Sequence, residues 1–158
     1  MLIILYWWVF IMNNVNFVKL DKNAIVPTYG SECAAGADLY ALPTVESTVI
    51  NPHETVLIHT GIALQIPDGF AGMIFARSGI ALKRGLAPAN KVGVIDSDYR
   101  GEIMVAIHNH SDIVQEIAAG ERVAQLVIMP YLKANFIECK SLDETERADG
   151  GFGSTGTK

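Results

Sequence analysis

The sequence predicts an all-β domain, a sandwich or a barrel, with one short helix. Short apolar runs follow one another closely along the chain, and glycine, proline and asparagine separate them, as is typical of such folds. No stretch keeps the 3.6-residue apolar period of a long helix. The 158 residues, 50% of them hydrophobic, suffice for one domain with a substantial core.

Strands are predicted where apolar and polar residues alternate, or where turn residues bound an apolar run. In the first half of the chain this pattern covers residues 16–20, 24–26, 37–41, 45–50, 55–59, 62–66 and 71–76, with a loop at 27–35. Residues 78–83 (SGIALK) contain better helix formers and predict the helix. After it, strands are predicted at residues 91–95, 102–107, 113–117, 122–129 and 135–138.

The runs 91–95 and 102–107 flank a polar turn, residues 96–101 (DSDYRG), and together they predict a β-hairpin. The tip of this hairpin carries two carboxylates, a phenol and a guanidinium. Such groups can recognise a nucleotide and orient a water molecule. An ordinary surface turn is the alternative, because turns favour Asp, Ser and Gly for backbone reasons.

The net charge of −5 argues against a broad surface for nucleic acid or for an anionic membrane, so a bound anion must be held locally. Cys33 and Cys139 lie far apart and share no metal-ligand spacing with the four histidines. This favours free thiols in a reducing, cytoplasmic compartment, with a single disulfide as the alternative. His108 and His110 share a predicted strand face, but no third metal ligand accompanies them.

Both ends of the chain differ in composition from the rest. Residues 1–11 (MLIILYWWVFI) are almost wholly apolar, yet they are too few to span a bilayer and lack the features of a secretory signal. They are interpreted as an upstream extension before a start at Met12, as an interfacial anchor or as an added edge strand. Residues 143–158 are charged and then glycine-rich, which predicts a mobile tail.

Two segments offer groups that bind phosphate, and a third contains an isolated polar side chain. Residues 150–156 (GGFGSTG), with Arg147 upstream, supply glycine amides, hydroxyls and a guanidinium, and Phe152 adds a ring that can stack on a base. Residues 77–79 (RSG) open the predicted helix, where amides and a hydroxyl favour an anion. Gln125 is a lone uncharged amide in an apolar strand and needs a partner if it is buried. Each segment has a plainer interpretation. Residues 150–156 are alternatively a flexible tail, residues 77–79 a tripeptide that occurs by chance, and Gln125 an amide with a structural partner.

Five segments together resemble the motifs of the homotrimeric deoxyuridine triphosphatase (dUTPase) family, in the family's order. They are residues 35–40 (AGADLY), 76–85 (ARSGIALKRG), 93–104 (GVIDSDYRGEIM), 120–125 (GERVAQ) and 147–156 (RADGGFGSTG). The resemblance extends from about Asn16 to the end of the chain, and residues 1–11 have no counterpart. Ala37 stands where the family often has a bulkier residue, and Ala148 and Asp149 stand where a glycine commonly follows the arginine.

The resemblance implies a β-jelly-roll trimer that hydrolyses dUTP to dUMP and pyrophosphate with Mg²⁺. It implies a barrel domain at residues 12–141 and a C-terminal lid at residues 142–158, which a neighbouring chain would contribute to each site. That activity would limit uracil in DNA and supply dUMP for thymidylate synthesis. Neither nucleic acid nor a stable membrane association is expected as a partner.

The resemblance also implies roles for individual residues. Asp96 would orient the attacking water, and positioning would matter as much as proton abstraction, because an ordinary aspartate is a weak base. Substrate phosphates would hold Mg²⁺ with no direct protein ligand, and Asp38 would act on the metal through water molecules. Gln125 would contact a phosphate or a water. The groups that would hold the triphosphate are Arg77, Ser78, Gly79, Arg147, Gly153, Ser154 and Thr155.

Base and sugar selection would come from the hairpin. The uracil edge would pair with the Asn90 side chain and with main-chain groups around Val94, Ile95 and Met104. Cytosine would leave buried groups unpaired. Tyr99 would pack on the deoxyribose and exclude a 2′-hydroxyl, and Phe152 would cover the base.

Two other functions are compatible with the same motifs. A deoxycytidine triphosphate deaminase is one, but that family's turn reads more like Ile-Asp-Pro-Gly than like residues 95–99 (IDSDY). The other is a regulatory protein that keeps the nucleotide pocket and acts by binding a partner.

Overall fold

Eleven strands and one helix form the described part of the chain, residues 14–44 and 46–151 of the computed structural model. In chain order they are β1 (Asn16–Lys19), β2 (Thr28–Tyr29), β3 (Ala37–Tyr40), β4 (Ser47–Ile50), β5 (Thr55–Gln65), β6 (Phe70–Phe75), α1 (Ser78–Arg84), β7 (Leu86–Pro88), β8 (Gly93–Ile95), β9 (Glu102–Asn109), β10 (Gln115–Ala118) and β11 (Arg122–Pro130). The predicted all-β class with one short helix is confirmed. The interpretations of residues 1–11 lie outside the described residues.

The described strands form two larger sheets and one two-stranded sheet, with antiparallel pairing. The order is β1-β5-β9-β7 in the four-stranded sheet and β2-β3-β11-β6-β8 in the five-stranded sheet, while β4 pairs with β10. Buried and half-buried residues alternate along β9, because successive side chains point to opposite faces of a sheet. The apolar core draws on both larger sheets and includes Leu39, Ile58, Ile74, Ile103, Ile107 and Leu126. This arrangement is consistent with the predicted jelly roll.

The predicted hairpin of residues 91–95 and 102–107 is wrong. β8 pairs with β6, where Ile95 lies opposite Gly72, whereas β9 pairs with β5 on one side and with β7 on the other. The turn at residues 96–101 therefore crosses from one larger sheet to the other. The local pattern identifies both strands but not their partners, because either strand can pair with any free edge that presents matching groups.

Strand β5 joins the two runs predicted separately at residues 55–59 and 62–66. Its pairing with β9 shifts register between His59 and Ala63, so the residues between them form a bulge. Gly61 in this bulge has a φ of 69°, and a Cβ there would come within 2.9 Å of the Ala24 side chain. Glycine is required at this position for both reasons.

The short segment before β3 also differs from the prediction. Residues 24–26 are not a strand, because the Ala24 amide closes a turn onto the Asp21 carbonyl at 3.0 Å. The predicted loop at residues 27–35 contains β2, which extends the five-stranded sheet beside β3. β2 and β7 have two and three residues, too few to show an alternating pattern.

Residues 131–151 form neither helix nor strand. The strand predicted at residues 135–138 is therefore wrong for the described chain, where no strand pairs with that segment to satisfy its amides. The side chains of Leu132 and Phe136 are 97% and 95% exposed. None of the helical residues in the described ranges belongs to a helix long and apolar enough to cross a membrane.

Helix α1 follows β6 and carries the predicted RSG segment at its start. Arg77 precedes the first turn with an extended backbone, and Ser78 and Gly79 are exposed. The helix ends at Gly85, whose left-handed backbone (φ 66°) lets its amide close the last turn. Ile80 is buried in the core, and the helix contacts β7 of the four-stranded sheet.

Candidate active site

Asp38 lies at the centre of the first cluster of predicted site residues. It is on β3 and only 3% exposed, and both of its carboxylate oxygens accept hydrogen bonds from arginines. Arg77 Nε donates to Oδ1 at 2.8 Å, and Arg122 Nη1 donates to Oδ2 at 3.1 Å. Gln125 lies opposite Asp38 in the β3–β11 pairing, and so on the same face of the sheet. Four side chains from three parts of the chain meet here, and we call them the Asp38 cluster.

The two arginines explain how an aspartate can occupy a buried strand position. A buried carboxylate without partners is very costly, whereas a paired and hydrogen-bonded one is tolerated. Arg77 Nη1 also donates to the main-chain carbonyl of Arg122 at 3.2 Å, which ties the two arginines together. Sequence reasoning missed Arg122, although it stands inside the motif at residues 120–125. Only the register of β11 against β3 shows that it reaches Asp38.

The second group of predicted residues lines a cleft where the turn at residues 96–101 connects β8 with β9. Its main cavity has a volume of about 260 Å³ and is lined by Leu57, Val94, Ile95, Asp96, Tyr99, Glu102 and Met104. An adjoining cavity of about 90 Å³ shares Val94, Ile95 and Met104 and extends to Asn90. The predicted base- and sugar-recognition residues of this region are therefore brought together, and we call this place the Asp96 cleft.

The Asp96 cleft lies between two strand edges. β8 is the outermost strand of its sheet and pairs with β6 alone. The pairing of β9 with β7 ends at Ile107. One further hydrogen bond runs from the Ala89 amide to the Ala106 carbonyl. Met104 lies beyond this point and therefore has a strand partner only on its β5 side. Among the strands described, the edges of β8 and β9 thus have main-chain amides and carbonyls that can hydrogen-bond a ligand. Such groups can pair with a planar heterocycle as they would with another strand.

Tyr99 is held beside the cleft by two contacts. Its hydroxyl donates to the main-chain carbonyl of Glu102 at 3.0 Å. Its ring lies so close to Gly101 that a Cβ at that glycine would collide with the ring. The side chain is still 40% exposed, so a ligand in the cleft can reach it.

The carboxylate of Glu102 is fixed by the bulge in β5. Its Oε2 is 2.9 Å from His59 Nδ1, and its Oε1 accepts the Gly61 amide at 2.7 Å. Burial raises the pKa of this carboxyl, but the hydrogen bonds from His59 and from the Gly61 amide outweigh that effect, so the pKa lies below its ordinary value of 4.5. Glu102 is therefore ionised at neutral pH.

Asp96 is exposed and lines the cleft from the turn. Its main-chain carbonyl accepts the Tyr99 amide at 3.1 Å, which closes the turn. Arg100 folds back on the same turn, with Nη1 2.6 Å from the Ser97 carbonyl. No residue within the described ranges hydrogen-bonds the Asp96 carboxylate, which leaves it accessible to water or a ligand.

The predicted tail residues are described only as far as Gly151. Arg147 Nε donates to the Gly150 carbonyl at 2.8 Å. Ala148 between them has a φ of 44°, a left-handed conformation that glycine adopts more readily. The other predicted tail residues lie outside the described residues: Phe152, Gly153, Ser154 and Thr155.

The two groups of residues are not joined within one chain: over residues 14–44 and 46–151, no hydrogen bond or ion pair connects the Asp38 cluster with the Asp96 cleft.

His108 and His110 belong to neither group. Their rings are edge to face with centroids 4.4 Å apart, and His108 Nδ1 is 2.9 Å from the Thr55 hydroxyl. The described residues contain no group of three His, Cys, Asp or Glu placed to hold a metal ion.

The donor set around Asp38 fits a Mg²⁺ ion that is held indirectly. Both oxygens of this carboxylate already accept a guanidinium N–H, and their remaining lone pairs can accept hydrogen bonds from metal-bound water. Mg²⁺ usually keeps several waters and binds through few carboxylates together with substrate phosphates. The residues present therefore fit a cation that arrives with a polyphosphate.

Sequence comparisons identify relatives over nearly the whole chain. A family model described as dUTPase matches residues 22–156. The deoxyuridine 5'-triphosphate nucleotidohydrolase of a Hydrogenobaculum species is 49% identical over 140 residues, which cover 89% of this chain and 96% of that protein. The protein of the same name from Helicobacter pylori strain J99 is 44% identical over 142 residues, 90% of this chain and 96% of that protein.

Solved structures give the same result. A dUTPase of Staphylococcus bacteriophage 80alpha, with dUPNHPP, is similar with a TM-score of 0.82 and 29% identity over 91% of this chain and 99% of that one. A mutant dUTPase from phage phi11 of S. aureus, whose structure is described as revealing the coordination of a structural Mg(II) ion, has a TM-score of 0.74 and 25% identity, covering 84% of this chain and 100% of that one.

Proposed function

The chain belongs to the dUTPase family of dUTP diphosphatases, and from that premise we propose how it hydrolyses dUTP and which residues take part. A water molecule attacks the α-phosphorus in line, the bond to the bridging oxygen breaks, and dUMP and pyrophosphate form. Such a reaction depends mainly on positioning and on stabilisation of the phosphate charge. The observation that carries the proposal is the Asp96 cleft, which gathers a carboxylate, a phenol and two strand edges.

Uracil binds between the edges of β8 and β9. Main-chain groups around Val94, Ile95 and Met104, with the Asn90 side chain, offer donors and acceptors there. Cytosine presents the reverse order of donors and acceptors and leaves those groups unpaired. In sites that hydrogen-bond their substrate, this penalty reaches about 10⁴-fold. A thymine methyl group clashes with the close-fitting turn.

Tyr99 packs on the deoxyribose, and Asp96 orients the water. The Tyr99 ring is fixed by Gly101 and by the Glu102 carbonyl, so it leaves no room for a 2′-hydroxyl. The exposed Asp96 carboxylate has no partner among the described residues and accepts a hydrogen bond from the attacking water. Orienting the water lowers the entropic part of the barrier, and general-base assistance adds to this effect.

The triphosphate lies against the Asp38 cluster and the start of α1. Arg77, Ser78 and Gly79 hold the α- and β-phosphates, and Gln125 contacts a phosphate oxygen or a water. Mg²⁺, when bound to the phosphates, neutralises their charge, while Asp38 accepts hydrogen bonds from water in that region. Residues 142–158 form a lid whose groups grip the γ-phosphate and cover the base, namely Arg147, Gly153, Ser154 and Phe152.

The molecule is a homotrimer, with a barrel domain at residues 12–141 and sites shared between chains. This assignment is supported by the separation of the Asp38 cluster from the Asp96 cleft within one chain. A closed threefold ring brings the Asp38 cluster of one chain to the Asp96 cleft of its neighbour at three equivalent places. The exposed segment 131–149 allows each lid to reach a neighbouring chain.

In the cell this reaction limits uracil incorporation into DNA and supplies dUMP for thymidylate synthesis. We place it in a reducing, cytoplasmic compartment, in keeping with Cys33 and Cys139, which are free and exposed. Small-molecule dUTP is the substrate, and no nucleic acid or membrane partner is needed.

Pyrophosphate release from dUTP, dCTP, dTTP and UTP, each with Mg²⁺ and with a chelator, tests the proposal. We expect turnover of dUTP alone, and only with Mg²⁺. Ammonia release from dCTP would identify a deaminase instead. Binding of dUTP without turnover, together with nucleotide-dependent binding of a protein partner, would identify a regulatory protein.

A further inference from the structure

We propose that His59 and Glu102 form a positioning pair that fixes Tyr99 and thereby sets the preference for a deoxyribose over a ribose substrate. The inference rests on the proposed function, because it concerns the sugar of the same substrate. Neither residue is assigned to a substrate contact, and both act through Tyr99.

Contacts in series connect the β5 bulge with Tyr99. The His59 ring and the Gly61 amide hold one carboxylate oxygen of Glu102 each, at 2.9 and 2.7 Å. The side chain of Glu102 is therefore fixed at two points. The main-chain carbonyl of the same residue accepts the Tyr99 hydroxyl at 3.0 Å. A change at His59 is thus transmitted to Tyr99 through a single residue.

The bulge in β5 allows the Gly61 amide to reach the Glu102 carboxylate. His59 lies opposite Met104, and Ala63 lies opposite Glu102, so β5 takes four steps where β9 takes two. The additional residues turn the Gly61 amide toward Glu102. The buried Thr60 hydroxyl donates to the Ile103 carbonyl at 2.6 Å and anchors the bulge on the strand that carries Glu102. Bulges commonly redirect side chains beside active sites.

Burial distinguishes this pair from an ordinary surface pair. The Glu102 side chain is 21% exposed and the His59 side chain 51%, so the hydrogen bond is partly shielded from solvent. The chain also contains a second histidine–carboxylate pair, His53–Asp112, at 3.0 Å with side chains 63% and 95% exposed. His53 and Asp112 line neither cavity of the Asp96 cleft. That pair is therefore a matched control.

The sugar preference is sensitive to the position of the Tyr99 ring because a ribose adds only one oxygen atom. A displacement of about 1 Å is enough to change the fit of a substrate at a reacting site. Release of the Glu102 carboxylate frees this side chain from the β5 bulge, so the main-chain carbonyl that accepts the Tyr99 hydroxyl is held less tightly and the ring can move. Discrimination against UTP then falls, whereas base pairing in the cleft and the Asp96 carboxylate are retained.

Steady-state kinetics with dUTP and UTP test the inference in the wild type, His59→Leu, His59→Asn and His53→Leu. In His59→Leu we expect the ratio of kcat/KM for dUTP to kcat/KM for UTP to fall by about fivefold or more, from the loss of a hydrogen bond to a charged group. The change should lie mainly in KM. His59→Asn keeps a nitrogen donor near the place of Nδ1 and should restore much of the ratio. His53→Leu should keep the wild-type ratio.

An unchanged ratio in folded His59→Leu would overturn the inference, even if the activity on both substrates fell together, since that result indicates a merely structural role. If His59→Leu does not fold, His59→Phe decides, because its ring keeps the flat shape of imidazole but has no nitrogen that can hydrogen-bond Glu102. A reduced ratio in that variant supports the pair, and an unchanged ratio refutes it. A wild type that does not hydrolyse dUTP would instead refute the proposed function, so the two failures are distinguishable.

Discussion

Asp38 and Asp96 are the same residue type in very different surroundings. Asp38 is 3% exposed and has an arginine on each carboxylate oxygen, so it is suited to hold neighbouring groups in place. Asp96 is exposed, and no described side chain engages its carboxylate, so it is suited to take up a water. The sequence identified both aspartates as candidates. It did not distinguish their surroundings, because the contact from Arg122 depends on strand register.

Replacement of Asp96 tests its proposed role in orienting water. Asp96→Asn keeps the size of the side chain but removes the anionic acceptor, so we expect kcat for dUTP to fall by about 10²-fold or more, with dUTP binding retained. Asp98→Asn, in the same turn, is the matched control and should leave kcat nearly unchanged. Equal activity of the two variants would remove Asp96 from the chemistry.

The pH dependence of stability tests the environment of Glu102. Its pKa is lowered in the folded chain, so its interactions stabilise the fold above pH about 4.5 and are lost as the pH falls through the lowered value. The difference in the free energy of unfolding between wild type and Glu102→Gln should therefore be largest near pH 7 and shrink below pH 4.5. Glu144→Gln, which removes an exposed carboxyl, controls for the loss of one charge. A difference that grows on acidification would contradict the assignment.

At the scale of the elements, the sequence pattern located strands better than it located their partners. Helix α1 and strands β1, β3 and β11 were predicted almost to their ends, because alternation and turn residues are local signals. The pairing of β8 with β6 and the bulge in β5 were not predicted, since both depend on residues distant in the chain. The Asp96 cleft exists because of that pairing, and its residues were found only through the motif that spans the turn.

Removal of the lid tests its proposed role on the γ-phosphate. A chain that ends at Ser141 loses Arg147 and the glycine-rich motif, so we expect kcat/KM for dUTP to fall by about 10²-fold or more, as lids complete many active sites. Binding of dUMP, which lacks the outer phosphates, should change by no more than about threefold. A chain that ends at Gly156 retains the motif and is the control. Undiminished hydrolysis by the shorter chain would show that the lid has no role.

At the scale of the whole molecule, the five ordered motifs were sufficient to predict the family and the fold class. They did not predict which groups of one chain meet, because that depends on the complete set of strand partners. The His59–Glu102 contact and the position of Arg122 follow from tertiary register alone. The assembly of the chains is a further level that no pattern within one chain specifies.

Mixing two inactive variants tests whether chains share sites. Arg77→Gln disables the Asp38 cluster and Asp96→Asn disables the cleft, so a site built from two chains is intact when each supplies its undamaged half. Random mixing in equal amounts should restore about a quarter of the sites of a threefold molecule, measured as dUTP turnover after co-expression. Asp96→Asn mixed with Tyr99→Ala, both in the cleft, should restore none. Absence of recovery in verified mixed trimers would place the whole site in one chain.

The open edges of β8 and β9 have a consequence for how such a protein changes over evolutionary time. In the proposed complex the base is recognised largely by amides and carbonyls, which every residue except proline carries alike. Side-chain substitutions along these strands therefore leave the recognition pattern intact, and the lineage can drift in sequence while the base preference stays fixed. A change of preference requires an insertion, a deletion or a proline that shifts the backbone itself. Base preference is thus inherited with the strand geometry rather than with individual side chains.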